Sequence, residues 1–78
     1  MLFISTFEVI PGKADELLGL AKKPRIPAGV KVRETLGIFG KPDVLMIFEA
    51  PDESTACDFI LQFNRVGVST TRSVFPLK

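Results

Sequence analysis

Gly40-Lys41-Pro42-Asp43-Val44-Leu45-Met46-Ile47-Phe48-Glu49-Ala50-Pro51-Asp52 is a turn, an unbroken apolar run and a helix start in immediate succession. The five residues Val44 to Phe48 carry no polar side chain and are bounded by turn residues. That pattern marks a strand buried on both faces. In a chain of 78 residues this is a heavy demand, because one layer of helices covers only one face of a sheet.

On the N-terminal side, Leu2 to Ile10 reads as a first strand with apolar weight on both alternating sets. Leu2, Ile4 and Ile10 form one set, and Phe3, Phe7 and Val9 the other. Pro11-Gly12 ends it. Lys13 to Lys23 reads as a short helix. Leu17, Leu18 and Ala21 fall at helical spacing from Ala14, acidic residues lie in the first turn and lysines in the last. Pro24, Pro27 and Gly29 make a loop. Val30 to Phe39 reads as a second strand, with Val30, Val32, Glu34, Leu36 and Ile38 on one set and Lys31, Arg33, Thr35, Gly37 and Phe39 on the other. Such a mix suits an edge strand.

On the C-terminal side, Asp52 is a helix N-cap with Glu53 just inside. Ala56, Phe59, Ile60 and Phe63 follow the stripe of an amphipathic helix, and Gly67 stands where that helix would end. Val68 to Leu77 alternates again as a last strand, and Pro76 fits an edge or a terminus.

The order strand, helix, strand, strand, helix, strand predicts an α+β, ferredoxin-like domain over residues 1–78. Right-handed crossovers put both helices on one face of a four-stranded antiparallel sheet in the order 4-1-3-2. Strands one and three are then central, and they are the two that look apolar on both sides. One of the sets Val44, Met46, Phe48 and Leu45, Ile47 meets the helices. The other meets a partner, most simply a second copy, so a homodimer or higher oligomer is expected.

Composition narrows the function. Net charge is +1, which offers no field to draw nucleic acid or acidic membrane. Apolar residues make up 46% of the chain and mean hydropathy is +0.30, in line with an apolar interface. The single cysteine, Cys57, has no partner for an internal disulfide, which fits a reducing cytoplasm. No apolar run is long enough to span a bilayer, and the first residues lack the features of a signal peptide. Histidine, tyrosine and tryptophan are all absent. A general base near neutral pH would therefore be a perturbed carboxylate or a lysine. The usual zinc sites and a phosphate loop are missing, so neither metal nor cofactor is expected.

Glu8, Arg33, Glu34 and Arg72 are the polar strand residues with most to offer. Pointed between two sheets, they would bind a small polar or anionic ligand, with arginine supplying its bidentate fork. The plainer alternative is that they pair with one another or face water. Asp43 reads as a turn residue accepting backbone amides, and Cys57 as a small, at least half-buried residue of the second helix. Lys22, Lys23, Arg25, Lys31 and Arg33 form a span free of acidic residues. That span is either an anion-binding edge or simply a helix end followed by an exposed strand. An RNA-recognition reading is weak: Leu2-Phe3-Ile4-Ser5-Thr6-Phe7 fits a first-strand motif, but only Phe48 is aromatic in the third strand.

Phe39-Gly40-Lys41-Pro42-Asp43-Val44-Leu45 resembles the glycine-x-x-aspartate turn of GYD-domain proteins, with Pro42 at the position of the family's tyrosine. It is also similar to the corresponding turn in the ligand-binding domain of feast/famine (Lrp/AsnC-type) regulators. Ile47-Phe48-Glu49-Ala50-Pro51-Asp52-Glu53 looks like the strand-to-helix junction of GYD domains. The resemblance implies a dimeric α+β barrel, in which two sheets pack face to face. Many members of that superfamily have no assigned activity, and the 78 residues hold no helix-turn-helix to imply a regulator. The expected role is a small homo-oligomeric domain that binds a small ligand or serves as a structural or interaction module. The alternative is a small barrel enzyme with Glu8 or Glu34 as its base, and RNA binding is the least favoured.

Overall fold

The computed structural model describes residues 1–78. The elements run β1 (Leu2–Val9), α1 (Ala14–Lys22), β2 (Lys31–Gly37), β3 (Val44–Glu49), α2 (Glu53–Leu61) and β4 (Gly67–Val74). The sheet is antiparallel throughout, in the order β2-β3-β1-β4. This is the expected ferredoxin-like arrangement, with β1 and β3 central. The smallest extent of the molecule is 16 Å, room for a sheet and one layer of helices.

The choice between the two faces of β3 falls to the larger side chains. Val44, Met46 and Phe48 are buried, whereas Leu45 and Ile47 are only half-buried. Phe3 and Phe7 of β1 join the buried set, and Leu2 and Ile4 do not. Leu17 and Ala21 of α1 and Ala56, Phe59 and Ile60 of α2 belong to the same core cluster, so both helices cover one sheet face.

Five phenylalanines run through that core in contact. Phe3 stacks on Phe48 at 5.3 Å, and Phe48 meets Phe59 edge-on at 4.9 Å. Phe59 meets Phe63 at 6.1 Å, and Phe63 leans on Phe7 at 4.7 Å. These offset and edge geometries suit aromatic quadrupoles and add to the apolar burial. Ser5 is the one buried polar side chain, and its hydroxyl is hydrogen-bonded to that of Thr71 on β4.

Four details depart from the sequence pattern. First, β2 is bulged between Val32 and Glu34. Val32 pairs with Phe48 on the core face, but Leu36 pairs with Leu45 and so lies on the other face. The extra residue, Arg33, shifts the period and splits the set that ran from Val30 to Ile38. Secondly, α2 stops at Leu61 and tight turns lead to β4. Phe63 is therefore held in the core by a turn rather than a helix, its N–H bonded to Ile60 C=O at 2.9 Å. Thirdly, Gly67 is the first residue of β4 and does not cap the helix. A Cβ there would lie 3.0 Å from the Glu8 carbonyl oxygen, so the close approach of β4 to β1 calls for glycine. Fourthly, β4 ends at Val74, leaving Phe75 to Leu77 beyond the sheet and exposed.

Asp52 caps α2 as expected, accepting the Thr55 N–H at 2.8 Å. That bond holds its carboxyl below the ordinary 3.8. Its stabilising effect is present above the unfolded-state pKa and is lost as pH falls through the lower folded-state value. The urea midpoint of the wild type should approach that of Asp52→Asn as the pH drops below about 4. Curves that stay parallel would remove Asp52 as a contributor. At the centre of the aromatic line, Phe59→Ala should cost on the order of 3–5 kcal/mol. That is comparable with the whole stability of many domains this small, so the variant should show no cooperative thermal transition by circular dichroism, and Phe59→Leu a lowered one.

Candidate functional site

The sheet face turned away from the helices is built by three cross-strand rows. Lys31, Glu49, Leu2 and Val74 form one, and Leu36, Leu45, Thr6 and Thr70 another. Between them lies the row Glu34, Ile47, Ile4 and Arg72. Directly paired residues of an antiparallel ladder share a face, so each row crosses all four strands. The centre of the face is aliphatic: Leu2, Ile4, Leu45 and Ile47 are half-buried, with no element packed over them. The bulge at Arg33 adds Leu36 to this surface.

Glu34 and Arg72 therefore sit at opposite edges of one row. Arg33 is drawn away from them, its guanidinium 3.2 Å from the Glu49 carboxylate. Both partners are largely solvated, so this ion pair adds at most about 1 kcal/mol. Glu8 is on the same face, paired with Val68, and four residues along β1 from Ile4. The structure thus brings Glu34 and Arg72 onto one line, ties Arg33 to a residue not singled out from sequence, and sets Glu8 apart. Glu34, Arg72 and Glu8 make no ion pair within the protomer.

Two open grooves lie elsewhere. One, of about 410 Å³, runs between α2 and β4 past Phe3, Cys57 and Thr71. The other, of about 330 Å³, lies between α1 and the end of β2, against Leu18, Ile38 and Phe39. Neither is lined by Glu8, Arg33, Glu34 or Arg72. Cys57 is exposed rather than half-buried, because it follows Ala56 by one position and so leaves the buried stripe. No three or more acidic or cysteine side chains cluster to hold a metal ion.

Asp43, the last residue of the glycine-x-x-aspartate turn, has a structural task. Its Oδ2 accepts the Val9 N–H at 2.8 Å. Its own N–H donates to Phe7 C=O at 2.8 Å, and its C=O accepts the Ile38 N–H at 2.9 Å. One residue thereby ties the β2–β3 turn to the end of β1. Gly40 makes the approach with φ of +133°, a conformation that favours glycine. Asp43→Ala should destabilise the domain by about 1–2 kcal/mol, because the Val9 amide loses its acceptor. Asp43→Asn, which keeps an acceptor oxygen, should recover at least half of that in urea unfolding. Equal losses in both variants would mean that the side-chain bond contributes nothing.

No helix is long and apolar enough to cross a membrane. No curated protein and no solved structure matches the chain. The sequence profile of the GYD domain matches residues 20–77. That span takes in β2, the Asp43 turn, β3, α2 and β4, and the chain accordingly belongs to the GYD domain family.

Proposed function

We propose that the protein is a homo-oligomeric interaction module whose uncovered sheet face is closed by a second copy. One observation carries this reading: four aliphatic side chains of the two central strands, Leu2, Ile4, Leu45 and Ile47, are half-exposed at the middle of a face with no covering layer. Burying such a patch is favourable by roughly 25 cal/mol per Å². A small domain gains proportionately more from this than a large one. The phenylalanines of β1 and β3 lie in the core, which leaves these strands no aromatic platform for stacking bases. The exposed free thiol of Cys57 fits a reducing compartment such as the cytoplasm.

A second reading rests on a separate observation: Glu8, Glu34 and Arg72 share this face without ion-pair partners. In a face-to-face dimer they would look into the space between sheets, where a small polar or anionic ligand would find them. The enzyme alternative, with Glu8 or Glu34 as base, draws on the same space. Both carboxylates are exposed in the protomer, and the dry pocket that such chemistry needs is completed only by the partner.

Light scattering at micromolar concentration should give twice the 8.6 kDa chain mass, or a higher multiple. Ile47→Glu should give a monomer with unchanged far-ultraviolet circular dichroism. A wild type that stays monomeric would sink the module reading. For the ligand reading, amino acids and small organic acids are screened by thermal shift. A hit should vanish in Arg72→Ala, and a hit that survives would move the site elsewhere.

A further inference from the structure

We infer that the covering copy is related by a two-fold axis running parallel to the strands, between β1 and β3, and that Glu34 of each protomer pairs with Arg72 of the partner subunit. The inference rests on the dimer reading above and specifies its geometry. Its basis is the middle row, in which Glu34, Ile47, Ile4 and Arg72 lie in line across the sheet. The two charges are opposite in sign, sit at opposite edges, and have two strands between them. Neighbouring strands are about 4.8 Å apart, so their backbones are about 14 Å apart. Neither charge has an ion-pair partner within the protomer.

A closed two-fold interface is isologous, so each residue's contact is repeated with roles exchanged. Two sheets packed face to face have their axis in the plane between them, and two simple directions exist. An axis parallel to the strands exchanges the edges, bringing β2 over the partner's β4. The row then meets itself reversed: Glu34 faces the partner's Arg72, Ile47 faces the partner's Ile4, and the same contacts recur on the other side. An axis perpendicular to the strands keeps each edge over itself. Glu34 would then face the partner's Glu34, and Arg72 the partner's Arg72. Like charges set opposite one another disfavour an interface, so the row selects the first direction.

Distances and neighbours agree with this choice. Sheets stack about 10 Å apart, a gap that extended arginine and glutamate side chains bridge from opposite sides. Aligned sheets keep their strands within about 30° of one another, and the middle row passes through the centre of the face, about which that rotation turns the sheets, so it is displaced less than the rows on either side. Arg33 is occupied by Glu49 and does not compete for Glu34. The aliphatic centre with a charged pair at each edge matches the apolar core and polar rim of a stable interface.

Sedimentation equilibrium of the full chain tests the pairing with Glu34→Arg, Arg72→Glu and the double variant, each checked for an intact fold by circular dichroism. Either single change sets like charges against each other at both edges, and should weaken the dimer by about tenfold or more. The double variant restores opposite charges with exchanged roles, and should return the dissociation constant to within about threefold of wild type. An axis perpendicular to the strands predicts no loss in the single variants, because like charges already face each other. A wild-type dimer with silent single changes, or a double variant as weak as the summed singles, would overturn the pairing and leave the dimer reading standing. A monomeric wild type would overturn both.

Discussion

The line of phenylalanines from Phe3 through Phe48, Phe59 and Phe63 to Phe7 is the contact on which the rest of the domain depends. It joins the two central strands to α2 and the turn that follows it. Aromatic rings are the largest apolar side chains in this chain, and burying them outweighs burying the smaller aliphatics. The helices therefore settle on the face that holds the rings. Leu2, Ile4, Leu45 and Ile47 are left on the opposite face by the strict alternation of a strand. One packing choice thus forms the core and uncovers the surface at the same time.

The turn at Gly40 to Asp43 keeps that alternation in register. Asp43 makes two bonds to the backbone of β1, at Phe7 and Val9, and its carbonyl accepts the Ile38 N–H from the end of β2. A slip of one residue in β3 would exchange the buried and uncovered sets entirely. The glycine-x-x-aspartate motif of the GYD family has, in this chain, a structural meaning: it ties the β2–β3 turn to the end of β1. No catalytic part for Asp43 is needed to explain its place in the fold.

Much of this was legible in the chain itself. The six elements, their order, the central position of β1 and β3 and the Asp52 cap follow from periodicity and turn chemistry. So does the conclusion that β3 has two apolar faces. The bulge at Arg33 was not legible, since a bulge of this kind needs no glycine and nothing local distinguishes Arg33 from its neighbours. Nor was the task of Gly67, which depends on how closely β4 approaches β1. The exposure of Cys57 was a matter of one helical position. Glu8, Arg33, Glu34 and Arg72 stand out in the chain as polar residues on strands, and polarity does not record which residues share a row.

By itself, the sequence determined the fold class and the surplus of apolar surface, because both follow from local patterns of period two and period three to four. Tertiary structure decided which set of β3 is buried, since that choice is made by ring-to-ring contacts between residues far apart in the chain. It also decided that Glu34 and Arg72 share a row while Arg33 is tied to Glu49. Those relations depend on register across three strand pairs and on one bulge, quantities that exist only once the strands have paired.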